Sequence, residues 1–170
     1  MTPPIKIIAR DAEDLAVVSA CLQDALIPLT EMRYLPQERR FIMVANRFRW
    51  ERAAQGNHGS AADPGKDAAF DSDVDEDFGS LQRTNSGICI DRVLAVRSRN
   101  IDRSRPDDFL SLLSVQLDGN RLSFFFAGGG VIQVEIEALS LYLSDLGKAW
   151  PTQWQPDHAL GGSGGKVTGR

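Results

Sequence analysis

The stretch LLSVQLDGNRLSFFFAGGGVIQVEIE, residues 112–137, decides the fold class. Asp118-Gly119-Asn120 is a strong hairpin signal, because these residue types favour the left-handed backbone of tight turns. The glycines at 128–130 mark a second turn. After them, apolar and polar residues alternate as in a strand with one buried face: Ile132, Val134 and Ile136 against Gln133, Glu135 and Glu137. The stretch therefore predicts three successive antiparallel strands.

The N-terminal part of the chain predicts one strand and one helix. Residues 5–9, IKIIA, have the composition of a short strand. Asp11 is a candidate N-cap, and apolar residues then recur at helical spacing, at Leu15, Val18, Leu22 and Leu26. We therefore expect a helix over 12–26, ended by Pro28.

A second hairpin is predicted further along the chain, with its turn at 36–38. On its second strand Ile42, Val44, Phe48 and Trp50 share one side, which we expect to face the core. The other side carries Met43, Arg47 and Arg49. The hairpin would therefore have an arginine-bearing face.

Two further segments complete the expected sheet. SGICIDRVLAVRSRN, residues 86–100, predicts one long strand with Ile88, Ile90, Leu94 and Val96 on one side. Residues 138–146 fit a strand and a helix equally well. The predicted fold is α+β, with a curved antiparallel sheet or partly closed barrel of about six to seven strands and an N-terminal helix. A pleckstrin-homology-like barrel is a candidate if 138–146 is a terminal helix.

The length and composition predict one domain over residues 1–154 and a flexible tail at 155–170. The segment at about 53–84 has few apolar residues and is expected to be a disordered insertion. Residues 63–77 carry seven acidic side chains and one lysine, a net charge of −6, whereas the whole chain carries −4. The N-terminus lacks the apolar core of a signal peptide, and no apolar run is long enough to cross a membrane. A cytoplasmic location is expected.

The acidic run FDSDVDEDFGS, residues 70–80, does not match a calcium loop. With Asp71 as the first ligand, Glu76 occupies the position that needs glycine and Gln82 the position that needs a bidentate carboxylate. The two cysteines and two histidines lack the spacing of a metal or catalytic site. We therefore predict no cofactor and no metal, and we do not favour catalysis. Competition of the acidic run with an anionic ligand is an open alternative.

Several strings together resemble a known family: DAEDLAVVSACLQDA, YLPQERRF, NRFRWE, LAVRSRNIDRSRPD, FAGGG and LSDLGKAW. They are similar to a family of uncharacterised, mainly alphaproteobacterial proteins, a domain of unknown function. The resemblance covers about residues 5–154, apart from the acidic insertion. It implies a bacterial single-domain protein and carries no activity, substrate or catalytic residue with it.

The candidate site is a group of arginines. The chain has fifteen arginines and four lysines, and arginine suits bidentate pairing with phosphate or carboxylate. If their two strands were neighbours, Arg47, Arg49, Arg97 and Arg99 would form an anion-binding patch. Ordinary ion pairs with nearby carboxylates are the simpler interpretation. We expect a non-catalytic binding or interaction module, with a protein as the candidate partner. Phosphate, other anions or nucleic acid are the alternative ligands. An enzyme is the third hypothesis for the function.

Overall fold

The computed structural model describes residues 3–50 and 82–151, with side chains through Gly147. One α-helix, α1 (Ala12–Cys21), follows the first strand. The ten strands of these residues are β1 (Lys6–Ala9), β2 (Leu26–Pro28), β3 (Met32–Leu35), β4 (Arg40–Phe48), β5 (Gln82–Ile90), β6 (Val93–Arg99), β7 (Phe109–Asp118), β8 (Arg121–Phe126), β9 (Val131–Ile136) and β10 (Leu141–Pro151). Short 3-10 turns occupy residues 29–31, 36–38 and 127–129.

The strands form one antiparallel sheet in the order β1-β10-β5-β4-β2-β7-β8-β9-β6, and β3 pairs with β4. The predicted antiparallel sheet with an N-terminal helix is confirmed. The predicted number of six to seven strands is wrong. A three-residue strand such as β2 is too short to show alternating hydrophobicity, and it forms by pairing with β4 and β7. Residues 141–151 form a strand, so the terminal helix on which the pleckstrin-homology comparison depended is not formed there.

The sheet divides at one edge of β4. Residues 40–43 of β4 pair with β3, whereas Asn46 pairs with Leu26 of β2. The other edge of β2 pairs with β7, and β8, β9 and β6 follow. β3 and β6 therefore face each other as edge strands, and the sheet remains open between them.

The helix and the strands contribute side chains to one hydrophobic core. The hairpin turns predicted at Gly119 and at 128–130 are confirmed, and they direct Phe124 and Phe126 inward while Phe125 is half-buried. Leu15, Val18 and Leu22 bury one side of α1 against β1 and β7. Burial of these apolar side chains is the main favourable contribution to folding.

The helix begins as predicted and ends earlier. The Asp11 carboxylate accepts the backbone N–H of Asp14 at 2.9 Å, which is an N-cap. The helix ends at Cys21 and not at residue 26. Asp24 has a positive φ of 60°, and its backbone N–H donates to the carbonyl of Leu112 on β7 at 2.8 Å. Bonding to β7 thus replaces the last helical turns.

The expected long strand over 86–100 is two strands. The chain turns a corner at Asp91-Arg92, where Arg92 has a positive φ of 59°. β5 pairs with β4 and β10, whereas β6 pairs with β9, so Leu94 is 49% exposed and not in the core. Residues 82–84, expected in the insertion, are the start of β5. The rest of the insertion and the tail at 155–170 lie outside the described residues.

The core face of β4 is the opposite of the predicted one. Phe41, Met43 and Ala45 are buried, whereas Ile42 and Val44 are half-buried. Both faces of this strand are apolar, so alternation alone does not identify the inner one. Phe48 is buried as expected, and Trp50 is half-buried, with its indole N–H donating to the carbonyl of Gln23.

No helix in the described residues is long and apolar enough to cross a membrane.

Two neighbouring phenylalanines test the inward direction of β8. Phe124→Leu should lower the free energy of unfolding by about 1–2 kcal/mol, because it shortens a fully buried side chain and leaves a cavity. Phe125→Leu, on the outward face, should change it by less than ~0.5 kcal/mol. Urea unfolding followed by circular dichroism measures both, and equal losses would contradict the assignment of the faces.

Candidate functional site

The structure places the four predicted site arginines in two separate environments. β4 and β6 are not neighbours, since β2, β7, β8 and β9 lie between them in the sheet order. Arg47 and Arg49 on or next to β4 are buried, whereas Arg97 and Arg99 on β6 are exposed. The condition for one four-arginine patch, adjacency of the two strands, is not met.

Arg47 belongs to a buried hydrogen-bonded network. Its side chain has no exposed surface, and its Nε and Nη2 donate to Oδ1 and Oδ2 of Asp145 on β10, each at 2.9 Å. Ser86 on β5 donates to Asp145 Oδ1 at 2.6 Å. The backbone N–H of Ile5, just before β1, donates to Oδ2 at 2.9 Å. One carboxylate therefore ties β1, β4, β5 and β10 together.

The Asp145 carboxyl is held in its ionised form. Burial by itself would raise its pKa, because a dry environment disfavours charge. The hydrogen bonds from Arg47, Ser86 and Ile5, together with the Arg47 charge, outweigh burial and keep the pKa below its ordinary value. Arg47 is thus neutralised within the fold.

Other buried arginines bind the ends of β4 and β5. Arg49 donates to the side-chain oxygen of Gln82 at 3.3 Å and to the carbonyl of Pro3 at 3.4 Å. Arg83 donates to the backbone and side-chain oxygens of Asn46 at 3.2 and 2.9 Å. These contacts fix strand ends, which is a structural role.

Arg97 and Arg99 lie on the outward face of β6. Arg97 is opposite Gln133 and Arg99 is opposite Val131. A shallow depression of about 10 Å³ adjoins Arg97, with Arg121 and Glu135 among its lining residues. Within 3–50 and 82–147, no carboxylate lies within ion-pairing distance of Arg97 or Arg99.

A larger feature lies where the sheet is open. We call it the β3–β6 cleft; it has a volume of about 380 Å³, and its lining residues are Leu29, Thr30, Met32, Tyr34, Phe41, Val96, Ser98, Ile101, Arg103, Pro106 and Ile132. Phe41 and Ile132 are its most deeply buried residues. Most of the lining is apolar, and no Asp or Glu of the described chain contributes to it.

Backbone hydrogen bonds bridge both ends of this cleft. At one end the N–H of Val93 donates to the carbonyl of Arg39 at 2.8 Å, and the hydroxyl of Tyr34 donates to the carbonyl of Leu94. At the other end the N–H of Leu29 donates to the carbonyl of Asp108 at 3.1 Å. The opening between the edge strands is therefore bounded by the fold.

The loop at 100–106, which carries Arg103, is held by local contacts. The side chain of Asn100 donates to the carbonyl of Gly129 at 3.2 Å. Ile101 packs so closely on Gly130 that a Cβ there would lie 3.2 Å from it. Asp102 accepts both the N–H and the hydroxyl of Ser104, which lowers the pKa of its carboxyl. The loop thus holds its arginine at a defined place.

Arg103 is the cation of the cleft. Its Nη2 donates to Ser98 Oγ at 3.0 Å, and no carboxylate of the described residues pairs with it. The neighbouring Asp102 instead faces Arg105, at 4.0 Å. Arg103 is not one of the four predicted site arginines, because its place in the cleft depends on strands far apart in the chain. Its position in an arginine-rich loop was the available signal.

The described residues contain no group of three His, Cys, Asp or Glu side chains able to hold a metal ion. Cys21 and Cys89 are half-buried, and they are not joined in a disulfide. Burial and the nearby Asp91 raise the pKa of Cys89, which disfavours the reactive thiolate.

In a comparison with protein families, residues 5–158 match the family described as "Protein of unknown function (DUF2948)". The chain belongs to this family. The family resemblance expected from the sequence strings is confirmed, and the match spans every strand and the helix described above. No curated protein and no solved structure matches the chain. The family description assigns no activity.

Asp145→Asn tests the buried network. We expect it to lower the free energy of unfolding by about 3–5 kcal/mol, because Arg47 would remain charged and buried and would lose the bidentate carboxylate of Asp145. Asp107→Asn makes the same change at an exposed loop position and should cost less than ~0.5 kcal/mol. Urea unfolding at pH 7 compares them, and similar small losses would contradict the structural role.

The lowered pKa of Asp145 predicts a pH dependence. A carboxyl whose folded pKa lies below its unfolded value, about 3.9, stabilises the fold fully above that value. This contribution is lost as the pH falls through the folded pKa. The free energy of unfolding of the wild type should therefore decrease more steeply below about pH 4 than that of Asp145→Asn. Parallel curves from urea unfolding at a series of pH values would exclude this contribution.

Proposed function

We propose that this protein is a non-catalytic binding module and that the β3–β6 cleft is its ligand site. The observation that carries the proposal is the cleft itself. Two edge strands that could pair are held apart by the fold, and apolar side chains line the space between them. Its volume of about 380 Å³ lies within the range of small-molecule sites.

Two properties of the cleft support a small apolar ligand. A volume of about 380 Å³ accommodates about thirteen non-hydrogen atoms, at the roughly 30 Å³ that a water molecule occupies in the liquid. Met32, Val96 and Ile101 are only partly buried, so a ligand would remove further apolar surface from water. We also propose a bacterial, cytoplasmic location, which the sequence and the family resemblance lead us to expect.

Binding is favoured over catalysis by the chemistry of the lining. General acid–base or nucleophilic catalysis needs a titratable group beside an orienting partner. The lining residues of the described chain include one tyrosine, whose hydroxyl is bonded to the carbonyl of Leu94, and no Asp, Glu, His or Cys. These lining residues suit the binding of a ligand.

Anion or nucleic-acid binding on the outside of the sheet stays a prediction as the second function. It is supported by Arg97 and Arg99, which are exposed on one strand face, with Arg121 nearby. It no longer includes Arg47 and Arg49, which are buried.

The cleft can be tested with 1-octanol, an uncharged chain smaller than the available volume. We expect saturable chemical-shift changes in the methyl groups of Val96, Ile101 and Ile132 in ¹H–¹³C NMR spectra. Val96→Phe should weaken binding by about tenfold or more, because the larger ring occupies the cleft. Leu113→Phe enlarges an exposed residue on β7 and should leave affinity unchanged. Shifts scattered over the surface, or none, would refute the cleft as the site.

A further inference from the structure

We infer that the ligand of the β3–β6 cleft is an amphiphilic monocarboxylate, with its carboxylate on Arg103 and its apolar chain toward Phe41 and Ile132. The inference rests on the proposed function, since it names the ligand class of the same site. Its basis is the contrast between an apolar lining and one guanidinium.

The hydrogen bonds of Arg103 leave it able to bind an anion. A guanidinium has five N–H donors in a planar fork, and the bond to Ser98 uses one of the two on Nη2. Asp102, the nearest acidic residue in sequence, bonds to Ser104 and faces Arg105. The remaining donors match the two oxygens of a carboxylate.

The depth of the lining residues sets the orientation of the ligand. Arg103 and Pro106 lie in the exposed loop, whereas Phe41 and Ile132 are buried at 4% exposure each. A charged group is stable at the exposed rim, where water completes its solvation, and an apolar chain is stable at the buried end. A ligand with the reverse polarity would leave its charge unpaired among apolar side chains.

The charge of the cleft favours a carboxylate over a phosphate. A phosphate monoester carries about −1.5 to −2 charges at pH 7 and is usually held by several cations or backbone N–H groups. Arg103 is the single cation among the lining residues of the described chain. One guanidinium balances one carboxylate.

Octanoate, 1-octanol, octylamine and octyl phosphate test this inference, because they share one chain and differ in the head group. Dissociation constants come from the methyl shifts of Val96 and Ile132 at pH 7 and low salt. The wild type should bind octanoate about tenfold more tightly than 1-octanol. Octyl phosphate should bind no more tightly than octanoate, and octylamine should bind most weakly.

Two matched arginine variants assign the effect to one residue. Arg103→Gln should reduce octanoate affinity about tenfold, to near that of 1-octanol, and should change 1-octanol affinity much less, because an alcohol carries no charge to pair with the guanidinium. Retained 1-octanol binding also reports an intact cleft. Arg105→Gln removes the same charge from the same loop, where it pairs with Asp102, and should keep the preference for octanoate.

Each contrary result has a separate meaning. Equal binding of octanoate and 1-octanol by the wild type overturns the carboxylate inference and leaves the cleft as an apolar site. Retention of the preference in Arg103→Gln overturns the assignment of the head group. Tighter binding of octyl phosphate than octanoate overturns the carboxylate in favour of a phosphate. Failure of every probe to shift the cleft methyl groups refutes the proposed function itself.

Discussion

A guanidinium buried on the core side of a strand requires a counter-charge, and this requirement organises half of the sheet. Arg47 takes a position at which β4 would otherwise present an apolar side chain. It meets its counter-charge on β10, 98 residues away, and Ser86 and the N–H of Ile5 complete the carboxylate's hydrogen bonds. A shifted register would separate these two buried charges, which costs several kcal/mol. The pair therefore stabilises one arrangement of β1, β4, β5 and β10 against its alternatives.

The division of β4 between two partners creates the cleft. In the described residues, β2 pairs with β7 and continues the sheet, whereas β3 pairs only with β4 and ends as an edge strand. β6, the last strand in the sheet order, lies beside β3 without pairing with it. The bonds from Val93 to Arg39 and from Leu29 to Asp108 hold this separation. The shape of the sheet makes the cavity, and Arg103 in the loop at 100–106 supplies its charge.

Local patterns predicted the parts of the fold that local chemistry determines. Asp118-Gly119-Asn120 and the alternation after Gly130 identify their strands, because turn geometry and one-sided burial act within a few residues. The strand β4 did not reveal its inner face, because Ile42 and Val44 are as apolar as Phe41 and Met43. The pattern therefore predicted Arg47 on the surface, whereas it is buried beside Asp145. The cleft, and the position of Arg103 in it, could not be predicted from local patterns, since distant strands assemble them.

Three strands of the described sheet, β1, β3 and β6, each have one unpaired edge. Such edges can pair with the edges of other molecules and so promote aggregation. Each of the three carries basic side chains: Lys6 on β1, Arg33 on β3, and Arg97 and Arg99 on β6. Two copies meeting edge to edge would bring these like charges together. Like charges at these edges therefore oppose edge-to-edge association of two copies.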